Sequence, residues 1–216
     1  VENVDGLFHI VPNLIRPVRP LSDWLACRQL QRAFGSFRPD IVHTHSGKAG
    51  FIGRLAAKRA GVPKIIHSIH GPSFGPFQGH LANALFRSAE RFAGRMTDHF
   101  VTVADAMRDR YLAASIGQAG GYTRISSGFD LEPFLQAKNS PEIRRQLDLA
   151  PGDFVVGKIA RLFELKGHDD LFSIAPQLAR RIPNLRFLLV GDGVWRGQFE
   201  RLAKRIGCEQ NFVFTG

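Results

Sequence analysis

Two cations, Arg161 and Lys166, lie in a short polar segment between two apolar runs of the chain. The first run, residues 154–159, precedes the cations, and the second run, residues 187–190, follows a helical stretch. The second run leads into a turn made of Gly191, Asp192 and Gly193. This order predicts a strand, a loop, a crossover helix and a second parallel strand, and such sheets bind ligands beyond the carboxyl ends of their strands. Fixed positive charges beside a helix N-terminus favour a diphosphate, so the segment predicts a site for a nucleotide-like anion.

A second group of candidate residues follows two predicted strands in the first part of the chain. His45, Ser46 and Gly47 end one strand and open a helix, whereas His70 and Gly71 end the next strand and open a glycine-rich loop. Imidazole can donate or accept a proton near neutral pH, and glycine lets the backbone approach a ligand closely. These five residues are candidates for lining a cleft. A histidine at a strand end is also commonly a structural hydrogen-bonding partner, and that alternative stays open here.

Histidines close together in the sequence could also indicate a metal site. His43 and His45 share one face of a predicted strand, and His67 and His70 fall on the neighbouring strand. No carboxylate or cysteine joins these histidines at the spacing typical of zinc ligands. We therefore predict no metal site and no cofactor.

The sequence does not complete either of two other nucleotide-binding motifs. Gly47 and Lys48 resemble the end of a phosphate-binding P-loop, but Ala49 stands where Ser or Thr is required and the upstream glycine is absent. The turn at residues 191–193 is too short for a dinucleotide fingerprint. A nicotinamide-dependent oxidoreductase is therefore disfavoured.

Strands and helices alternate along the chain. The apolar patterns predict strands at residues 7–11, 39–44, 65–69, 99–103 and 122–125. Helices are predicted from a cap at Ser22 or Asp23 to about residue 34, and at residues 49–60, 81–92 and 105–112. The fold class predicted from this alternation is α/β, with two Rossmann-like, doubly wound parallel sheets, the second of them incomplete.

The predicted domain boundaries follow a change in composition. Residues 131–151 contain three prolines, no strand pattern and one short helix, as expected of a connection between domains. We predict a first Rossmann-like domain at residues 1–138, a linker at 139–152 and the first half of a second domain at 153–216.

Composition is that of a soluble globular protein. The 216 residues are 44% hydrophobic and 22% charged, and no apolar run approaches the roughly 20 residues needed to cross a bilayer. The N-terminal residues lack the basic leader of a signal peptide. The two cysteines, Cys27 and Cys208, lie far apart, each in a predicted helix, and fit a structural role in a reduced, cytoplasmic setting.

The chain is basic, with a net charge of +10. Residues 1–139 hold 17 Lys and Arg against 10 Asp and Glu, a difference of +7, so most of the excess lies in the first part. Such a surface suits anionic lipid, nucleic acid or phosphorylated substrates, or is simply a solvated basic face. The cations are scattered rather than clustered, which disfavours nucleic acid as a partner and leaves peripheral contact with an anionic inner membrane face as an option.

An ordered set of motifs resembles the family 4 glycosyltransferases of the GT-B type. The segments that carry the resemblance are RPDIVHTHSGKAGFIGRLAAKRAGVPKIIHSIHGPSF, VTVADAMRDRYL, ISSGFDLEPF, VGKIARLFELKGHDDLFSIAPQL and LRFLLVGDG. The most specific part is the R-x4-KG element with VGDG one helix and one strand later. The turn at residues 127–130 is SGFD, a mild departure from the family's Asn-Gly-x-Asp, because Ser also hydrogen-bonds a turn backbone.

The resemblance implies an activity and roles for the candidate residues. Enzymes of this family move a sugar from a nucleotide-diphosphate donor to an acceptor hydroxyl with retention and without a metal, in polysaccharide or glycolipid biosynthesis. By resemblance, Arg161 and Lys166 hold the diphosphate, the 191–193 turn lies at the donor and His70 faces the transferred sugar. The partners implied are a nucleotide-sugar, with UDP as the family's usual nucleotide, and a carbohydrate or lipid-linked acceptor.

Two family elements are absent. No glycine-rich loop precedes Leu7, and the family's Glu-x7-Glu motif is not reached by Gly216. We therefore expect a chain truncated at both ends that is inactive by itself. The alternatives are a nucleotide-sugar epimerase or phosphorylase of the same architecture, and a non-catalytic module that binds a membrane or a partner through its basic first part.

Overall fold

A computed structural model describes residues 8–216, and the chain divides into two compact units, one ending at Phe129 and the other spanning Asp130–Gly216. None of the helices described is long and apolar enough to cross a membrane.

The first unit alternates helices and parallel strands. Its helices are α1 (Pro20–Phe37), α2 (Gly47–Arg59), α3 (His80–Gly94) and α4 (Asp105–Ala113). Its strands are β1 (Ile41–His45), β2 (Lys64–Ile69), β3 (His99–Thr102) and β4 (Tyr122–Arg124). They form one parallel sheet in the order β1-β2-β3-β4, with His45 of β1 opposite Ser68 of β2. The predicted α/β alternation is confirmed in this unit.

Helix α2 packs unusually close to the first two strands. A Cβ on Gly50 would lie 2.4 Å from Cε1 of His67, and a Cβ on Gly53 would lie 2.9 Å from Cγ2 of Thr44. Ala56 and Ala57 on the same helix are fully buried. Small residues at these positions therefore bring the N-terminus of α2 directly against the carboxyl ends of β1 and β2.

The second unit carries a smaller parallel sheet. It begins with the short helices α5 (Glu132–Leu135) and α6 (Pro141–Gln146). The remaining elements are β5 (Phe154–Ile159), α7 (His168–Arg181), β6 (Leu185–Val190), α8 (Arg196–Arg205) and β7 (Phe212–Phe214). The strand order is β5-β6-β7, all parallel, and Ile159 stands opposite Val190 at the carboxyl end.

Stacked phenylalanines hold the second unit together. Phe172 of α7 stacks on Phe212 of β7 with ring centroids 4.4 Å apart, and Phe212 lies 4.8 Å from Phe187 of β6. Phe199 of α8 stacks on Phe172 at 5.2 Å and is fully buried. Each such side chain contributes roughly 1.5–3 kcal/mol by burial, so this aromatic column fixes both helices on the sheet.

The predicted strand at residues 7–11 is wrong over the part that the structure describes, because residues 8–11 have no regular structure; Leu7 lies outside the described residues. Val11 instead packs against the apolar cluster between α1 and α2. The first helix begins at Pro20 rather than at Ser22 or Asp23, since proline is favoured at the first helical position.

Two further details differ from the sequence prediction. Cys27 lies in α1 as expected, but Cys208 follows α8 and precedes a short 3₁₀ turn. Both thiols are free and buried. Burial raises the pKa of Cys208, which keeps this thiol protonated and unreactive.

The segment at residues 139–152, expected to be a linker, packs as part of the second unit. The Arg144 guanidinium donates to the carbonyls of Ala150 and Asp153, at 2.7 and 3.0 Å, and Leu149 is buried. The division of the chain at Phe129 accordingly comes before the predicted boundary at residue 138, and two short helices replace the single one expected.

Candidate functional site

The candidate donor residues of the second unit lie together at the carboxyl edge of its sheet. The loop after β5 and the turn after β6 run side by side, because Leu162 donates its backbone N–H to the Asp192 carbonyl at 2.9 Å. The Ala160 N–H likewise donates to Val190 at 3.0 Å. The structure therefore brings Arg161 and the 191–193 turn to one place, as the strand order predicted.

The two glycines of the turn are required by this close approach. A Cβ on Gly193 would lie 2.2 Å from the Leu162 carbonyl oxygen, and one on Gly191 would lie 2.5 Å from the Ala160 oxygen. Gly191 also has φ +130°, a backbone conformation that residues with a side chain rarely adopt. The glycines thus serve the contact between the two backbones.

Replacing Gly193 by Ala is expected to displace the loop after β5 and to destabilise the second unit by about 1–3 kcal/mol, because the clash is with backbone atoms. Denaturant unfolding measures the loss. Gly157→Ala in β5 is the matched control, since nothing lies within 4 Å of a Cβ there. Equal stability of the two variants would contradict the interpretation.

Arg161 is oriented by an aromatic stack. Its guanidinium carbon lies 4.9 Å from the ring centroid of Phe163, whose ring in turn lies 5.7 Å from that of Trp195. Trp195 donates its backbone N–H to the Leu162 carbonyl at 3.2 Å. A cation–π contact of this kind limits the motion of an exposed guanidinium, so the charge is held near the turn.

Lys166 lies in a sharp turn at the end of the loop, just before α7. Leu165 and Gly167 on either side both have left-handed φ values, 60° and 65°. The ammonium of Lys158, on β5, donates to the Gly167 carbonyl at 2.7 Å and so ties this end of the loop to the sheet. Sequence reasoning missed Lys158, although a lysine inside an apolar strand is a detectable signal.

His168, the first residue of α7, was also missed. Its side chain is 2% exposed, and Nε2 lies 3.1 Å from the Arg161 carbonyl oxygen, with the proton on Nε2 as donor. The imidazole packs 4.9 Å from the Phe199 ring. His168 therefore links the start of the loop to the helix that follows it, and its position directly after Lys166 and Gly167 gave no hint of that contact.

The candidate residues of the first unit gather at the ends of β1 and β2. His45 Nδ1 and His70 Nε2 lie 2.9 Å apart in a hydrogen bond, and their rings are stacked at 5.2 Å. The His43 ring lies 4.3 Å from that of His45, and His43 bonds Ser68 Oγ at 2.8 Å. Desolvation lowers the pKa of His45, and His43 and His70 lower it further. In this hydrogen bond one nitrogen carries the proton and the other must be unprotonated to accept it, so only one proton lies between the two rings.

Beside this pair, the backbone is strained at Ser46, whereas the space around Gly71 is empty. Ser46 adopts φ 66°, an uncommon value for a serine, where β1 turns into α2. A Cβ on Gly47 would lie 3.1 Å from that of Ser73. Nothing lies within 4 Å of a Cβ placed on Gly71, so the fold itself does not require a glycine there.

The histidines do not converge on a metal. His67 points to the buried side of the sheet, where Nδ1 lies 2.9 Å from Thr44 Oγ1, whereas His43 and His45 lie on the exposed face. Across residues 8–216, no three His, Cys, Asp or Glu side chains are grouped to hold a metal ion.

A buried polar network supports the glycine-rich loop after β2. The Arg54 guanidinium donates to Glu90 Oε2 at 2.8 Å and to the Gly50 carbonyl at 2.9 Å. Glu90 Oε1 accepts from Ser73 Oγ at 3.0 Å, and Ser73 Oγ lies 3.2 Å from the Tyr111 hydroxyl. Burial, and next the charge of Glu90, raise the pKa of Tyr111. The network joins α2, α3, α4 and the loop.

Acidification is expected to destabilise the first unit through His67. Burial lowers the pKa of His67 to about 3, from an ordinary 6.5, so between these values the unfolded chain binds more protons than the folded one. The free energy of unfolding is therefore largest above pH 6.5. It decreases as the pH falls, by about 2 kcal/mol between pH 7 and 5. Urea unfolding at both pH values measures the loss.

His67→Asn keeps a polar group near Thr44 and removes the titration. We expect this variant to lose about 2 kcal/mol less than the parent between pH 7 and 5. His80→Asn, at an exposed position, is the control and should leave the pH dependence unchanged. An unchanged slope for His67→Asn would show that other groups cause the acid sensitivity.

Comparison with known proteins gives the family. The model of a glycosyl transferase 4-like domain matches residues 2–128, and that of the glycosyl transferases group 1 matches residues 139–216. One curated relative is the UDP-Gal:alpha-D-GlcNAc-diphosphoundecaprenol alpha-1,3-galactosyltransferase of Escherichia coli, 29% identical over 85% of this chain and 48% of its own length. Another is the GDP-mannose-dependent alpha-(1-6)-phosphatidylinositol monomannoside mannosyltransferase of Mycolicibacterium smegmatis, 29% identical over 74% of this chain and 40% of its own length.

A solved structure shares the fold. Anabaena HepE, crystallised with UDP and glucose, superposes with a TM-score of 0.72 over 93% of this chain and 54% of its own, at 24% sequence identity. The chain spans about half the length of the curated relatives it matches. Because the first family model alone covers more than half of its residues, the chain belongs to the glycosyl transferase 4-like family, with a group 1 glycosyltransferase domain after it.

Proposed function

We propose that this protein transfers a sugar from a nucleoside diphosphate donor to an acceptor hydroxyl. The observation that carries the proposal is the paired loop and turn of the second unit, where Arg161 and Lys166 lie in the loop that leads into α7. The free N–H groups of a helix N-terminus add to the two side-chain charges. Together they favour a diphosphate at this edge of the sheet.

Charge development explains why cations matter there. As the bond between the anomeric carbon and the diphosphate oxygen breaks, that oxygen gains negative charge. The acceptor oxygen bonds to the anomeric carbon from the same face, which gives retention, and its proton passes to the departing diphosphate. Arg161 and Lys166 stabilise the charge more in the transition state than in the bound donor. Side chains supply this charge without a metal ion, so EDTA should leave the rate unchanged.

The first unit contributes the acceptor side. His70 orients the transferred sugar, and His45, Ser46, Gly47 and Gly71 line the acceptor position. The named relatives act on a diphosphoundecaprenol-linked sugar and on a phosphatidylinositol monomannoside, which supports a lipid-linked acceptor in glycan or glycolipid synthesis. The donors of these two relatives carry different nucleotides, UDP in the first and GDP in the second. We take UDP as the donor nucleotide here, as in the galactosyltransferase, whose match covers more of this chain than that of the mannosyltransferase.

The donor site is tested directly by NMR titration of the chain with UDP, which detects even millimolar affinity. Amide shifts are expected at residues 160–167 and 191–193, and not along β1 and β2. GDP at the same concentration tests the base. Shifts in the first unit alone would favour the non-catalytic binding module. Release of an epimerised free sugar or a sugar phosphate, instead of a new glycoside, would favour the epimerase or phosphorylase.

A further inference from the structure

The first unit contains a cavity whose lining, apart from Gly47, has no role in the proposed chemistry. It measures about 440 Å³ and lies between the segment that opens α1, the first turns of α2 and the length of α3. Small-molecule sites commonly measure about 300–1,000 Å³, so the space suits an organic group rather than a single ion.

The walls of the cavity are mainly apolar. Its apolar side chains are Val18, Phe51, Ile52, Leu85, Phe86 and Ala89. Phe51 packs against the cluster between α1 and α2, and Phe86 packs against the cluster that includes Phe74 and Tyr111, so two separate clusters contribute to the lining. Leu85 is 65% exposed and Val18 63% exposed. These two side chains add exposed apolar surface to the lining, which suits an apolar ligand.

The charged side chains of the lining, except Arg16, are paired within the protein. The Lys48 ammonium contacts Asp23 and donates to the Ile15 carbonyl at 2.7 Å, and Glu90 is paired with Arg54. Arg16 differs, since no carboxylate of residues 8–216 lies within 4 Å of its guanidinium. One available cation at the rim of an apolar cavity complements a ligand with an apolar tail and an anionic head.

The cavity adjoins the candidate acceptor residues. Gly47 belongs to both, and Ser73, at the polar end of the cavity, packs against Gly47 and follows His70 by three residues. We propose that this cavity binds the hydrocarbon tail of a phosphate-bearing amphiphilic acceptor, with the phosphate at Arg16 and the sugar-accepting end toward Gly47. The name acceptor rests on the proposed function, whereas binding of the amphiphile does not.

Calorimetric titration of the chain with decyl phosphate, kept below its micellar concentration, tests the proposal. We expect saturable binding of one molecule, no binding of inorganic phosphate, and weaker binding of decyl maltoside, which has a neutral head. Arg16→Gln should abolish the preference for the phosphate head. Leu85→Glu, which places a charge in the wall, should weaken decyl phosphate binding by at least about tenfold.

Leu81→Glu is the matched control, because Leu81 lies one turn earlier on α3, is 86% exposed and does not line the cavity. It should bind like the parent. Equal loss in both variants would mean adsorption to the apolar surface of α3, as expected for a membrane-facing helix, and would overturn the proposal. Ala89→Phe, which fills the cavity, gives a second test: unchanged binding would equally exclude the site.

The same samples keep the two proposals separate. UDP shifts at residues 160–167 should persist in Leu85→Glu and in Ala89→Phe, since the donor loop lies in the other unit. Loss of decyl phosphate binding with UDP shifts intact supports the cavity site. Binding of decyl phosphate without any UDP shift would retain the lipid site and contradict the glycosyltransferase proposal.

Discussion

Replacing Arg161 and Lys166 together by Ala is expected to lower kcat/KM for glycosyl transfer by at least about 10³-fold in the full-length protein. Loss of one preorganised group that stabilises transition-state charge typically costs about 10²–10³ in kcat. Because the two cations act on the same leaving group, their effects should be less than additive. Steady-state rates for the single and double variants measure this.

The split between kcat and KM separates a chemical role from a structural one. Arg161→Lys keeps the charge and loses the planar fork, so its rate should lie between those of the parent and Arg161→Ala. Arg181→Ala, at the opposite end of α7, removes an exposed cation and should change neither constant. Unchanged kcat/KM in the double variant would refute the assignment of the donor site. A rise in KM alone would mean that the cations only bind the donor.

The order of strands and helices could be predicted because each element carries its own local pattern. Strand β6 is a mainly apolar run followed by Gly191, and α2 is a helix rich in Ala and cations that ends just before Gly61. Parallel sheets then place the ends of neighbouring strands at one edge. That geometry alone explains why Arg161 and the 191–193 turn could be placed together from the sequence.

The supports of the two candidate sites could not be predicted in the same way. Lys158 stands out as a lysine inside an apolar strand, but its partner and that of His168 are backbone carbonyls, which the sequence does not reveal. The hydrogen bond between His45 and His70 depends on the register of β1 on β2, which the sequence does not specify. The wrong prediction of a strand at residues 8–11 has a similar cause. Val11 packs against the two helices α1 and α2, and the sequence does not distinguish this from an apolar residue of a strand.

Long-range polar pairs lie beyond local patterns as well. Arg54 looks like one more cation in a basic helix, yet its side chain is 0% exposed and its partner Glu90 lies 36 residues later. A buried charge in an Ala-rich helix becomes recognisable only when its partner is known. The energetics of this pair give the largest stability effect expected in the chain.

Arg54→Ala is expected to destabilise the first unit by about 3–5 kcal/mol, because it leaves Glu90 buried without a compensating charge. Glu90→Ala should cost a similar amount and should also free Ser73, which donates to the same carboxylate. Urea unfolding of the first unit, with the second unit as internal reference, measures both losses. Glu90→Gln keeps the shape and an oxygen that can accept from Ser73, but it leaves the buried Arg54 cation without an opposite charge, so its cost should approach that of Glu90→Ala.

The double variant Arg54→Met, Glu90→Leu distinguishes a stabilising ion pair from a pair that is merely costly to break. Apolar replacement of both partners removes two desolvation penalties together, so stability should return to within about 1–2 kcal/mol of the parent. The Ser73 hydroxyl then keeps only Tyr111, and the loop after His70 should exchange its amide protons faster. A double variant as stable as the parent but with poorer acceptor binding would show that the pair is retained to place the acceptor loop. If both single variants unfold within 0.5 kcal/mol of the parent, on the scale of ordinary surface substitutions, the network has no such role.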